Sequence, residues 1–575
     1  MRTALRLLAR TSVRTLLAVV VWVGLFGPSL AQHARNSANP RLFNDDVRQQ
    51  VWPFFRYSDG GFTRDYIGGY YLHAFLPAGY RAVFAAVAHV VDPVTTSKVV
   101  PYALFALTLA LCALAARRLQ GTAAFLGCGL LCLSSGILFA RMVGGLPRGF
   151  GYPIVALATY GLAAGNVWWV AAAVVAGALF YPAVAVPPGA ALALWLLLLP
   201  RRDRAQAQDW SLARRFAFLA CVAVVAGLLV LPTALGARRY GRLLTPADAR
   251  AYPEMMGRYA PEDRAPTEYF FPTFATAFRS GVVGSGPPFI AAWSVRARPN
   301  ESRVLWSLAA VVALGLPLLC VRSGAARRLS CLLVAACAAF VAAKEFAPYL
   351  YLPQRHLLYV VPLLAVVLVP ASASAFGALL PGGAARYAAP ALALAASIAA
   401  LLALGGTVAP RTGLYIELPA NERVYGFLAT LPRSALIAGL PDALMDNVPY
   451  VSRRQVLVTY ETHQVFHTRY VQEMRRRVRA VVAATFAADY APIASLRDKF
   501  HVTHLVVNRA HYGTAPPRYF AQFGRELRKA YASCADHSCI IAKGVPAAEV
   551  FQQGTIVVLD LSKLPPPESG GVPAH

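Results

Sequence analysis

Residues 16–46 read LLAVVVWVGLFGPSLAQHARNSANPRLFNDD. The first half, Leu16 to Ala31, is an uncharged apolar run. A bilayer's hydrocarbon core, roughly 30 Å thick, is crossed by about 20 such residues rising about 1.5 Å each. Four arginines precede the run, Arg2, Arg6, Arg10 and Arg14, and Asn44-Asp45-Asp46 follows it. Arginines collect on the cytoplasmic side of a span, so this stretch fixes a direction, with the amino end inside and the aspartates outside. Ser29-Leu30-Ala31 also fits a secretory cleavage site. With or without cleavage, the chain from Gln32 emerges outside.

Similar runs recur as far as Gly406. We place spans near 15–31, 98–116, 121–140, 150–165, 167–182, 183–199, 215–235, 304–321, 328–344, 356–376 and 387–408, eleven in all. The fourth to sixth are short and break at Gly165-Asn166 and Tyr181-Pro182. The 575 residues are 57% hydrophobic and only 14% charged, with mean hydropathy +0.49. That excludes a wholly soluble enzyme and a disordered chain. The predicted fold class is an α-helical polytopic membrane protein carrying a C-terminal α/β soluble domain. Residues 1–408 form the multi-spanning part, with outer loops 32–97 and 236–303. Residues 409–575 form an extracytoplasmic α/β domain with a disordered tail from Pro565.

The arginines support this alternation. The net charge is +28, and only six of the 55 basic residues are lysine. Arg117 and Arg118 follow the second span. Arg201, Arg202, Arg204, Arg214 and Arg215 lie after the sixth. Arg322, Arg327 and Arg328 follow the eighth, and Arg386 the tenth. All fall on the inner side, where they set topology rather than bind nucleic acid. Segment 66–91 is apolar but interrupted by His73, Pro77, Arg81 and His89. Counting it as a span would invert every later loop, so it is expected to lie in the interface or re-enter.

The alternation gathers the unusual polar residues on the outer face. They are Asp45 and Asp46, Asp59 and Asp65, Arg141 and Arg148 around Gly144-Gly145, then Glu345, Arg355 and His356. A carboxylate can take a proton from a hydroxyl or hold a divalent cation. Arginine at the membrane boundary can grip a phosphate through its planar fork. Each feature also has a plainer account: a solvated loop or helix N-terminus for the aspartates, and snorkelling to headgroups for the arginines. The combination suits a substrate whose phosphate lies at headgroup level and whose acceptor arrives from outside.

The layout resembles the GT-C superfamily of polytopic, polyprenyl-phosphate-sugar-dependent membrane glycosyltransferases. The residues carrying the resemblance are Asn44-Asp45-Asp46 after the first span and Gln354-Arg355-His356-Leu357-Leu358-Tyr359 at the head of a late one. The resemblance implies a catalytic base at Asp45 or Asp46 and lipid-phosphate binding by Arg355, with His356, Arg141 and Arg148 as further candidates. His356 stands where an aromatic is common in that superfamily. The acidic pair also lies far past the predicted span for its pattern. The implied reaction moves a hexosyl or pentosyl group from a polyprenyl phosphate to a glycan, lipid or protein acceptor. No cofactor is implied with certainty, and a divalent cation stays open. The composition suggests a bacterial cell envelope and its inner (plasma) membrane. A transporter or flippase, or a non-catalytic scaffold of the same fold, are the alternatives; charges are scarce at mid-span, which disfavours transport.

Strand-like runs in the last part are Ala435–Ala438, Gln455–Thr459, His504–Asn508, Cys539–Ala542 and Thr555–Leu559, with helical patterns at 464–487 and 517–531. Cys534 and Cys539 are a candidate disulfide in an oxidising compartment. His463 and His467 have a spacing that can hold a metal on a helix, but no glutamate completes a protease motif. Arg475, Arg476, Arg477 and Arg479 cluster on one helix, as a solvated face or as contacts to anionic headgroups. There is no P-loop and no dinucleotide fingerprint, as a lipid-linked donor requires none.

Overall fold

The computed structural model describes residues 13–60, 62, 65–245, 248, 251–252, 315–346, 353–403, 410–419, 422–512, 521–534 and 539–564. Most of the predicted eighth span (304–314), most of the 236–303 loop and the tail from Pro565 lie outside the described residues; 315–322 is helical.

The apolar runs fold as helices: α1 Val13–Ala38, α2 Ala78–Ala88, α3 Pro93–Ser134, α4 Gly136–Met142, α5 Gly151–Ala164, α6 Val167–Phe180, α7 Val186–Leu198, α8 Leu212–Ala237, α9 Gly324–Glu345, α10 Gln354–Gly377 and α11 Ala384–Ala403. Among the described residues, five are long and apolar enough to cross a membrane: α1, α3, α8 (counted to Tyr240), α9 and α10. α3 is two limbs joined at Gln120-Gly121, where Gly121 takes φ 74°. Only a residue without Cβ adopts that easily, and the turn separates the second predicted span from the third. α5 to α7 are short, broken at Gly165-Asn166 and at Tyr181-Pro182. Segment 66–91 does not span: a short helix, a π turn over Tyr71–Phe75 and the eleven-residue α2 fold it back.

α10 is buried along most of its length. By contrast, Leu16, Val20 and Val23 of α1 and Val224 and Leu228 of α8 point outward. Such faces belong against lipid. The chain is a multi-pass membrane protein with a central helix enclosed by its neighbours.

At one end of the bundle Arg117 donates to Thr15 Oγ1 (3.2 Å). Asp203, nearly buried, accepts both arms of Arg327 at 2.6 and 2.7 Å. Arg328 donates to the Asp203 carbonyl and to those of Leu162 and Ala163, the latter two being last-turn carbonyls that α5 leaves unsatisfied. These loop arginines therefore also staple helices. Asp203→Ala is expected to lower stability by about 2 kcal/mol, because it removes two charge-assisted hydrogen bonds from Arg327, which is itself a quarter exposed. Thermal unfolding in detergent would measure it, and an unchanged midpoint would sink the claim.

At the other end, β1 (Leu42–Phe43) pairs antiparallel with β2 (Ile416–Glu417). Beyond it β3 (Leu436–Gly439), β4 (Gln455–Val456), β5 (His504–Asn508), β6 (Glu549–Gln553) and β7 (Ile556–Asp560) form a sheet of order β4-β3-β5-β7-β6. β3 runs parallel to β4 and β5; β7 runs antiparallel to β5 and β6. α12 (Ala443–Val451) follows β3, and α13 (Thr468–Thr485) follows β4. Two strand assignments change. Residues 540–543 form a helical turn, with extended Cys539 before it and Gly544 at φ 98° after it; a four-residue apolar run does not distinguish the two states. β6 alternates poorly and carries a register irregularity, which hid it from a period-2 pattern. Cys534 and Cys539 are joined by a disulfide, with Cα atoms 5.3 Å apart.

The outer loop and the C-terminal globule share one core. Phe43, Trp52, Phe54, Tyr70 and Tyr80 pack in the same cluster as Ile437, Val448, Tyr470, Val506 and Val558. Tyr70 stacks on Tyr470 at 3.6 Å between ring centres.

Candidate active site

α1 runs to Ala38, beyond the predicted end of its span, so the acidic pair sits just past the helix rather than far from it. β1 then brings Asn44 against the C-terminal strand segment: its amide donates to the Gly413 carbonyl at 2.9 Å. Asn44 Oδ1 accepts from the Asp46 backbone N–H (3.1 Å) and from Arg148 Nη2 (3.0 Å). Arg148 arrives on the loop after α4. There Gly144, at φ 94°, lies so close to Val47 and Asn44 that a Cβ would sit 3.0 Å from the valine. That backbone conformation and close approach both favour glycine.

Arg148 forms an ion pair with Asp46 and lies 3.9 Å from Asp45. The two carboxylates are therefore unequal. Asp46 is committed to Arg148 and to Gln49 Nε2 (3.1 Å). Asp45 keeps 43% of its side chain exposed. Partial desolvation raises the Asp45 pKa to about 6, helped by the charges of Asp46 and Glu461 and opposed by Arg148.

Arg148 also joins the pair to a second group. Arg355 and Tyr359 are within its electrostatic reach, and Arg141 lies within reach of Arg355, Arg148, Tyr152 and Tyr359. Arg355, His356 and Tyr359 come from the first turns of α10, and His356 is buried. Tyr152 donates to the Leu358 carbonyl at 3.1 Å. The Tyr359 ring packs 5.0 Å from that of Tyr152 and 5.5 Å from that of Tyr181, and its buried hydroxyl finds no hydrogen-bond partner among the described residues. Three guanidinium groups and an unsatisfied phenol make a strongly cationic niche bordered by two carboxylates. Like charges held together in this way suit an anion.

The other outer candidates go elsewhere. Asp59 pairs with Arg453 at 3.7 Å and accepts from Arg433 through its backbone carbonyl. Asp65 caps a helix, accepting from the N–H groups of Ile67 (3.3 Å) and Gly68 (2.7 Å), and burial raises its pKa to about 6. Glu345 is exposed at the end of α9. The arginines of α13 are occupied within the chain: Arg475 over Tyr252 (4.8 Å), Arg476 and Arg477 on Glu473, and Arg479 on Glu526. His467 lies within hydrogen-bonding distance of the Tyr70 hydroxyl (3.0 Å), and burial lowers its pKa to about 4. Among the described residues no group of three or more His, Cys, Asp or Glu side chains could hold a metal ion. Residues that sequence reasoning missed are Gln49, Glu461, Gln464, Tyr152 and Tyr359. Only Tyr359 carried a signal, its place in the Gln354–Tyr359 motif.

No family model and no curated protein matches the chain. Solved structures do. ArnT from Cupriavidus metallidurans in the apo state aligns with TM-score 0.52 at 15% identity, over 95% of this chain and 99% of that one. The same protein bound to undecaprenyl phosphate gives 0.50 at 16% identity, over 95% and 99%. An oligosaccharyltransferase from Archaeoglobus fulgidus in complex with Zn and sulfate gives 0.48 at 11%, over 86% of this chain and 68% of that one. At these identities the likeness is one of fold: the chain shares the fold of ArnT, a polytopic helical bundle with a C-terminal globule, as its span pattern led us to expect.

Proposed function

We propose that the chain is a membrane glycosyltransferase that moves a sugar from a polyprenyl-phosphate donor to an acceptor on the outer face of the inner (plasma) membrane. The observation carrying this is the junction at Arg148, where a half-exposed carboxylate of raised pKa borders a niche of three arginines. The fold supports it, since ArnT, which shares it, has been seen with undecaprenyl phosphate bound. In this proposal the amino end is cytoplasmic. The two domains meet near residue 409, and the C-terminal globule is extracytoplasmic, on the same side as Asp45, as the β1–β2 pairing supports.

The chemistry is an inverting displacement. Asp45 takes the proton of the acceptor hydroxyl as its oxygen attacks the anomeric carbon. The bond from that carbon to the phosphate oxygen breaks, and the lipid phosphate leaves with the electron pair. Arg141, Arg355 and Arg148 stabilise its growing charge in a site already oriented for it. Asp46 holds Arg148 in place. Arginine suits the phosphate because its fork can bind two oxygens.

A base works deprotonated. With a pKa of about 6, transfer rate should rise with pH up to the region of about 6 and level off above it, falling about tenfold per unit below. Sugar transfer by the purified protein in detergent, with polyprenyl-phosphate-linked sugars as donors and soluble glycans as acceptors, measures this. No transfer from any such donor, or a flat profile between about pH 4.5 and 7.5, would overturn the assignment.

A further inference from the structure

The acidic pair is held from an unexpected direction. Gln49 is buried, one turn after Asp46. Its Nε2 donates to Asp46 Oδ1 at 3.1 Å and also to Glu461, and its Oε1 accepts from Gln464 Nε2 at 2.9 Å. Both donor and acceptor ends of the amide are in use, which leaves its orientation one choice. Gln464 also donates to the Glu461 carbonyl (2.8 Å), and the Glu461 N–H donates to Asp446 Oδ1 (2.9 Å). Arg48 runs alongside: Nη2 reaches Glu461 at 3.3 Å, Nη1 donates to Asn447 at 3.2 Å, and Nε donates to the Asp45 carbonyl at 3.0 Å. Thus both the Asp46 carboxylate and the Asp45 backbone are tied to one turn, Tyr460–Gln464, and to α12 of the C-terminal globule.

We infer that Gln49 and Glu461 are positioning residues, through which the C-terminal globule sets the carboxylates of the first outer loop for transfer. This rests on the glycosyltransferase proposal above. Gln49 is buried and Glu461 mostly so, and their bonds go to Asp46, Arg48 and Gln464 rather than to Arg141, Arg148 or Arg355, so neither is assigned to substrate. Their effect is geometric. Asp46 accepts from Arg148 on one side and Gln49 on the other, so it cannot rotate, and Asp45 follows through the shared backbone. Catalytic geometry is steep: a shift of about 1 Å from outside the reacting groups can cost up to 100-fold in rate. A carboxylate on a mobile loop would lack that constraint.

The test uses the full-length protein in detergent, with a polyprenyl-phosphate-linked sugar and acceptor. Gln49→Met keeps the volume of the side chain but cannot donate to Asp46 or Glu461. It should lower kcat about tenfold or more while KM for the donor stays within about twofold, because Arg141 and Arg355 are untouched and Arg148 keeps Asn44 and Asp46 as partners. Glu461→Ala should do the same. Glu461→Gln, which can still accept from Gln49, should recover most of the loss. A merely structural role predicts otherwise: a lower melting temperature or yield, and unchanged kcat per folded molecule. Wild-type kcat in Gln49→Met would overturn the inference, as would equal losses in Glu461→Ala and Glu461→Gln. Loss of fold in Glu461→Ala leaves Gln49→Met to decide. If Asp45→Asn is inactive while Gln49→Met is normal, the positioning role alone fails. If Asp45→Asn retains transfer, the glycosyltransferase mechanism fails first.

Discussion

Asp45→Asn is expected to reduce sugar transfer by about 10²- to 10⁴-fold, the range over which a general base contributes, with the amount of folded protein unchanged. The amide is nearly the same size and cannot take the proton. Asp45 bears little of the structure: its side chain is half exposed and accepts the neighbouring Asp46 N–H at 3.0 Å, which the amide oxygen of asparagine can also do, and Arg148, 3.9 Å away, is already bonded to Asp46. Asp46→Asn should be milder, about tenfold. It weakens the grip on Arg148 but leaves Asn44 Oδ1 to hold that guanidinium at 3.0 Å. The asymmetry is the diagnostic part. Transfer kinetics with a lipid-linked donor, alongside melting curves, check both variants. Full activity in Asp45→Asn would remove the base from the scheme and favour a scaffold.

Arg355→Ala carries the second large effect. Oriented positive groups at a developing negative charge are each worth about 10²- to 10³-fold in kcat, and Arg355 sits at the head of α10 within reach of Arg141 and Arg148. Arg355→Lys should recover only part of the loss, since an ammonium is a point charge without the planar fork. The measurement is kcat at saturating donor, with competition by free polyprenyl phosphate reporting binding. A kcat within about threefold of wild type in Arg355→Ala would move the leaving group away from this niche.

Much of this was legible in the chain because membranes impose simple rules. Run length placed α1, α3, α8, α9 and α10, and arginine distribution gave the expectation of which ends share a side. The Asp45-Asp46 pair, Arg148, Arg141 and Arg355 could be collected on that basis alone, and the structure brings them together. Asp59 and Asp65 could not be sorted from them by composition. A carboxylate that caps a helix, or answers an arginine 394 residues later, looks the same in a sequence as one that meets a substrate. Asp65 is distinguished only by the N–H groups of Ile67 and Gly68, and Asp59 only by Arg453. Gln49 and Glu461 were invisible for a related reason. Their partners lie across a tertiary contact of about four hundred residues, and no local periodicity records it. The long loop 32–97 looked like a connector between spans, yet its aromatics pack into a core supplied mostly by the C-terminal globule.

That divided core has a consequence for how the protein is made. When Leu42 and Phe43 leave the translocation machinery, their partners Ile416 and Glu417 have not been synthesised. The 32–97 loop must wait, without the Tyr450 and Tyr470 rings that pack into its aromatic cluster, until nearly the whole chain has been made. The proposed reaction centre would thus be finished last, and in the topology proposed above a molecule with one span wrongly inserted would leave its two halves on opposite sides. Correct threading of every helix becomes a condition for activity, enforced by ordinary side-chain packing.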